Sequence, residues 1–204
     1  MAFRNLFARI FIALPVFIVG YVGLTVQSGA EVREPEIVIV PAHADGRAWN
    51  VHVQIFKPEG QGPFPLIIFS HGRSAKSLER KELKSPVLRG HVEYWMQKGF
   101  AVLAPIRPGY GETGGDDIEN SGIKITASGE CRGTPDFGRV AKNAADSVSD
   151  VINWAKHQPW SNKERILLVG QSVGGLNGCA RSAQYSECCG LYQFFRRCGW
   201  KSRI

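Results

Sequence analysis

The pentapeptide Gly170-Gln171-Ser172-Val173-Gly174 offers the residue types for nucleophilic chemistry. It follows the apolar run Ile166-Leu167-Leu168-Val169 and precedes Gly175-Leu176, which reads as a strand, a sharp turn and a helix. Such a turn lifts a serine hydroxyl to its tip, where the oxygen can attack an acyl carbon. The flanking glycines have a steric reason. Side chains two residues before and after the serine would collide with the neighbouring strand and helix. The pattern alone is weak: a chain of 204 residues with 23 glycines and 14 serines meets it by chance roughly one time in six. The context has to carry the reading.

That context is a series of elements able to hold the serine. Glu36–Val40 and Val51–Phe56 read as short strands, the second alternating apolar and polar residues. Residues 59–65 form a Gly- and Pro-rich connection. Leu66-Ile67-Ile68-Phe69 is a continuous apolar run, as expected of a strand buried on both faces, and it ends in Ser70-His71-Gly72. Residues 86–98 read as a helix with Val87, Val92, Trp95 and Met96 inward and Gly99 as its stop. Ala101–Ala104 is another buried strand. Residues 107–135 read as one long loop, opening with Arg107 and rich in glycine and acids. A second helix spans about 138–157, with Val140, Ala144, Val148, Val151 and Ala155 at helical spacing and Gln158-Pro159 ending it. Strands alternating with helices predict an α/β fold with a mostly parallel sheet and helices on both faces.

Composition agrees with a single globular domain: 44% apolar and 21% charged residues. The net charge of +7 is carried mainly by the ends. Residues 1–30 hold +2 and residues 177–204 hold +4, so the body holds +1 and has no nucleic-acid footprint. Arg4 and Arg9 precede an apolar run, Ile10–Val26, and then Ser28-Gly29-Ala30. That is the pattern of a secretory signal cleaved after Ala30, with an uncleaved membrane anchor as the alternative. Either places the body in an extracytoplasmic compartment, secreted or periplasmic, with membrane contact only through this segment.

An apolar strand ending in His71-Gly72, about a hundred residues before a GxSxG that follows another apolar strand, is more specific than either motif alone. Here the chain resembles the α/β-hydrolase family, most of all its dienelactone hydrolase and esterase branch. The matching stretches are Pro65–Gly72, Phe100–Pro105, Pro108–Gly115 and Ile166–Gly175, and the resemblance covers about 36–176. It implies Ser172 as nucleophile and the backbone N–H groups of Val173 and Arg73 as the oxyanion hole. The implied substrate is a small ester or other acyl compound, with no cofactor and no metal; a peptidase of the same fold is the alternative. His71 is then a hydrogen-bonded structural histidine that supports its loop, not the base. Arg107 is expected to orient the acidic loop, and Asp116, Asp117 and Glu119 to form a solvated surface.

In this fold the triad runs in chain order Ser, Asp or Glu, His. The five histidines, His43, His52, His71, His91 and His157, all precede Ser172, and Glu187 is the only acid after it. The last 28 residues also change character. They carry Cys179, Cys188, Cys189 and Cys198 with five basic residues and no helical or strand period, and their spacing matches no zinc pattern. Cys131 is the one cysteine within the body. One reading is a Cys-rich binding protein on an α/β scaffold. The other is a frameshift. With one extra base after the codon for Leu176, a consistent decoding of the tail contains NIPNVVGYINFSGGAGGNPE, an apolar strand running into a glycine-rich loop. The expectation is therefore a hydrolase domain present only in its N-terminal part, 31–176, with an out-of-frame tail, 177–204. Such a chain is truncated and inactive for want of the triad acid and histidine.

Overall fold

A computed structural model of the chain describes residues 34–128 and 130–175. The expected signal or anchor (1–30) and the Cys- and Arg-rich tail (177–204) lie outside the described residues. Among the described residues no helix is long and apolar enough to cross a membrane.

The elements run β1 (Glu36–Ala44), β2 (Arg47–Phe56), β3 (Phe64–Ser70), α1 (Ser77–Lys81), α2 (Arg89–Gln97), β4 (Ala101–Ile106), a 3-10 turn (Gly111–Thr113), β5 (Lys124–Ile125), β6 (Cys131–Arg132), α3 (Phe137–Lys156) and β7 (Ser161–Gly170). Five strands form one sheet in the order β1-β2-β4-β3-β7. The α/β class is as read from the sequence, but the sheet is mixed. β4, β3 and β7 are parallel, whereas β1 pairs antiparallel with β2 and β2 antiparallel with β4. The reason is local. Asp45 and Gly46, both with positive φ, close a two-residue hairpin that makes β1 and β2 antiparallel neighbours. No helix separates them, and only crossover connections give parallel pairs.

Helices cover both faces. On one, Leu66 and Ile68 of β3 and Ala101 and Leu103 of β4 pack with Val148, Val151, Ile152 and Ala155 of α3. On the other, Ile67, Phe69, Val102 and Ala104 pack with Val87, Val92 and Met96 around α2. Consecutive strand residues thus feed opposite cores, which is why these strands read as unbroken apolar runs. All five inward positions assigned to α3 are buried. Its Asp136 side chain accepts a hydrogen bond from Arg139 N–H at 2.9 Å, a cap contributing about 1 kcal/mol.

The long loop 107–135 contains more order than expected: the 3-10 turn and the β5–β6 ladder, both too short to show a period. α1 was missed for a different reason. It has five residues and buries none of them, so no apolar stripe marks it. Cys131 is exposed and disulfide-bonded.

Candidate active site

The carboxyl ends of β4, β3 and β7 meet at one edge of the sheet, where open α/β sheets hold their ligands. Ser70 of β3 is in register with Gly170 of β7, and Gln171 N–H donates to Ser70 O at 3.0 Å. Two residues past the end of β7 the chain turns sharply. Ser172 has φ +55°, a left-handed conformation that costs a non-glycine residue about 1–2 kcal/mol. Helical backbone starts at Val173. Gly174 N–H donates to Gln171 O and Gly175 N–H to Ser172 O, both at 2.9 Å.

The two glycines are required by close approach. A Cβ at Gly170 would overlap the backbone of Gly174 and Gly175, and a Cβ at Gly174 would overlap the carbonyls of Ser70 and His71. The start of the new helix is therefore seated directly on the end of β3. Gly72, in the loop after β3, lies against Ser172: a Cβ there would be 3.7 Å from Ser172 Cβ. The Ser172 hydroxyl has no hydrogen-bond partner among the described residues. The backbone N–H groups of Arg73 and Val173 likewise have no acceptor among them.

His71 is 4% exposed and is used at both ring nitrogens. Its Nε2 accepts from Arg107 N–H at 3.2 Å, so Nδ1 carries the proton and donates to Gly72 O at 2.8 Å. Burial, reinforced by the Arg107 charge, holds its pKa well below the ordinary histidine value; the bond to Gly72 O opposes this and is outweighed. It is a neutral histidine that shapes the 71–72 turn. The remaining described histidines are engaged elsewhere: His43 Nδ1 lies 3.3 Å from Asp150, His91 packs on Phe69, His157 Nδ1 bonds Asn153 O at 2.7 Å, and His52 sits in β2 paired with Ile39 and Ile106.

The acids of the 107–119 loop depart from expectation. Asp116 is 84% exposed and does face solvent. Glu119 and Asp117 do not. Arg107 is fully buried and Glu119 is 1% exposed, and they pair through two contacts: Nε to Oε1 at 2.5 Å and Nη2 to Oε2 at 3.0 Å. Arg107 Nη1 also donates to Ser70 Oγ at 2.8 Å and His71 O at 2.6 Å. Burial opposes its charge, but Glu119 and Tyr110 outweigh burial and raise its pKa above the usual value. Tyr110 stands edge-on to His71 and donates to Glu119 Oε2 at 3.2 Å. Burial first, and then the Glu119 charge, push its own pKa up. Asp117 is 13% exposed and accepts from Arg73 (Nε at 3.3 Å, Nη2 at 2.6 Å), while Arg80 Nη2 lies 3.4 Å away. Arg107 thus anchors the acidic loop, as expected, but it does so from inside the protein. A buried cation fixes the position of its counter-ion, so Glu119 is pulled out of solvent by Arg107, while Asp117 is held by Arg73 and Arg80.

Of the residues singled out by sequence, Ser172, Gly72, His71 and Arg107 are brought together, with Arg73 one residue beyond Gly72. The contributions of Tyr110, Arg80 and Asp117 were not foreseen. Among the described residues no three metal-binding side chains stand close enough to hold an ion.

No protein-family model and no curated protein matches the sequence. Solved structures similar to the chain include esterase 2 of Thermogutta terrifontis (18% identity, TM-score 0.43, covering 73% of this chain and 47% of that one). Esterase Est22 is another (14%, 0.48, 77% and 42%). A prolyl endopeptidase is a third (15%, 0.49, 74% and 20%). The chain spans between a fifth and a half of the length of these proteins.

Proposed function

We propose that this chain carries the nucleophile-bearing part of a serine hydrolase of the α/β-hydrolase type. Its substrates are carboxylic esters or lactones, as in the dienelactone hydrolase and esterase branch that the sequence resembles. The observation that carries the reading is Ser172 itself. It is held at φ +55° just past the end of β7, between two glycines whose Cβ positions are filled by backbone. A protein has little reason to hold a serine in that strained turn unless its hydroxyl is used.

In the proposed reaction Ser172 Oγ attacks the acyl carbon and a base takes its proton. The carbonyl oxygen becomes an oxyanion facing the N–H groups of Val173 and Arg73. Collapse returns the proton to the leaving alcohol and leaves an acyl-serine, which water then cleaves to the acid and free serine. No described histidine is placed to act as that base. His71 is committed at both nitrogens, and no histidine follows Ser172 in the sequence. We therefore read residues 177–204 as out of frame and the chain as inactive in this form, with the acid and histidine encoded in the restored frame. Residues 1–30 direct it to a secreted or periplasmic location.

The test is a serine-reactive fluorophosphonate together with a p-nitrophenyl ester and a p-nitroanilide peptide. It is applied to this chain, to the chain expressed from the restored frame, and to Ser172→Ala versions of both. The expected result is labelling and ester turnover in the restored chain, abolished by Ser172→Ala, and no turnover in the present chain. Labelling that survives Ser172→Ala would remove the nucleophile assignment. Ser172-dependent turnover by the present chain would remove the inactivity. Peptide cleavage in preference to ester cleavage would replace esterase by peptidase.

A further inference from the structure

The segment between β3 and α1 bears the proposed oxyanion donor Arg73 and is tied down from outside. His71 O accepts from Arg107 and Gly72 O from the His71 ring. Ser74 O and Ala75 O both accept from Arg80 Nη1, at 3.0 and 3.1 Å. With these carbonyls turned toward protein donors, the N–H of Arg73 is left without an acceptor among the described residues. Arg80 is itself held by Asp117, and the same carboxylate grips Arg73 through a two-pronged contact. One carboxylate from a loop more than 35 residues away therefore fixes both ends of residues 73–80.

We propose that Asp117 is a positioning residue for the acyl site: through Arg73 and Arg80 it sets the Arg73 peptide N–H in its outward orientation. The proposal rests on the reading of that N–H as an oxyanion donor. It assigns to Asp117 no contact with substrate. Two arginines share the carboxylate, and losing it would leave two like charges side by side with nothing between them. The loop would then open locally while β3 and β7, held by their own ladder, stay closed.

The experiment is amide hydrogen exchange on the full chain, comparing the parent with Asp117→Asn, Asp117→Glu and the exposed control Asp116→Asn. In Asp117→Asn the hydrogen-bonded amides of Lys76, Arg80 and Glu82, which close the segment that Asp117 holds, should exchange roughly tenfold faster or more, with β3 and β7 amides unchanged. Asp117→Glu should restore part of the protection, and Asp116→Asn should match the parent. Unchanged exchange at Lys76, Arg80 and Glu82, or a rise spread equally over β3, β7 and α3, would overturn the proposal, the second because it marks general destabilisation. Fluorophosphonate labelling of Ser172, with the same substitutions placed in the restored-frame chain, separates the two readings. A restored-frame parent that never labels defeats the nucleophile assignment and leaves the exchange result to decide the positioning role. Labelling at equal rates in the restored-frame parent and its Asp117→Asn variant, with faster exchange at Lys76, Arg80 and Glu82, would refute the oxyanion role of Arg73 and the proposal with it.

Discussion

Replacing Glu119 by Gln removes one charge from inside the protein and almost no volume. Arg107 would keep Ser70 Oγ and His71 O as acceptors but would hold its charge fully buried with no counter-ion. The amide NH2 of the new side chain would also face an Arg107 N–H in either orientation, in place of an acceptor. Removing one partner of a buried ion pair costs about 3–5 kcal/mol. For a chain of this size each kcal/mol lowers the thermal midpoint by about 2–4 °C, so the expected fall is about 6–20 °C. Thermal unfolding followed by circular dichroism reads it, with Asp116→Asn as the exposed control. The double variant Arg107→Met/Glu119→Leu should fall less than the sum of its two single variants, because neither charge is then stranded. A fall below about 2 °C in Glu119→Gln, or strict additivity in the double variant, would refute the argument that this pair is the interior anchor of the acidic loop.

Other outcomes follow from the same contacts. Ser172→Gly should raise the thermal midpoint by about 2–4 °C, since glycine relieves roughly 1 kcal/mol of left-handed strain, while Ser172→Ala should not; equal midpoints would remove the strain argument. Gly174→Ala should lower it by at least as much, because the added methyl overlaps the Ser70 and His71 carbonyls; unchanged unfolding would show that the helix seats differently. His71 has a depressed pKa in the folded protein, so below about pH 6.5 the unfolded chain takes up a proton that the folded one refuses. Stability is thus fully present above that pH and declines as pH falls; the midpoint should drop from pH 7 to 5 in the parent and less in His71→Gln, and parallel curves would contradict the assignment. Sequencing the gene from the codon for Gly170 onward should reveal a single extra base after Leu176, with an Asp and a His in the restored frame; an intact frame would return the Cys-rich tail to the centre of interest.

What could be read from sequence was what local spacing controls. The strands Leu66–Phe69 and Ala101–Ala104 and the stripe of α3 each show their burial through the residues on the element itself. The GxSxG turn shows its geometry through its glycines. Strand direction was less legible, because the antiparallel β1–β2 pair depends on a two-residue turn at Asp45-Gly46 rather than on either strand's composition. Asp116 faces solvent as expected, whereas Asp117 and Glu119 do not, because a carboxylate in solvent and one inside a salt bridge look alike in a string of letters. Asp116 and Asp117 are adjacent and have opposite environments.

Arg107 nevertheless carried a usable signal. It directly follows β4, in which every residue is buried, so the chain enters the loop from inside the sheet, and Pro108 and Gly109 turn it at once. A cation leaving a fully buried strand without an exposed step has to meet an anion near that depth, and the only acids within a short loop's reach are Glu112, Asp116, Asp117 and Glu119. At least one of them was bound to be internal. The choice of Glu119 was beyond the sequence, because it depends on the fold of the loop: the bridge between Tyr110 and Gly114 and the bend at Asp116–Ile118 bring the chain back to Arg107 after twelve residues. The same bend presents Asp117 to Arg73 on the next loop. The burial of Arg107 thus explains why an acid-rich loop lies against the turn after β3: the same guanidinium holds Glu119 and the His71 carbonyl.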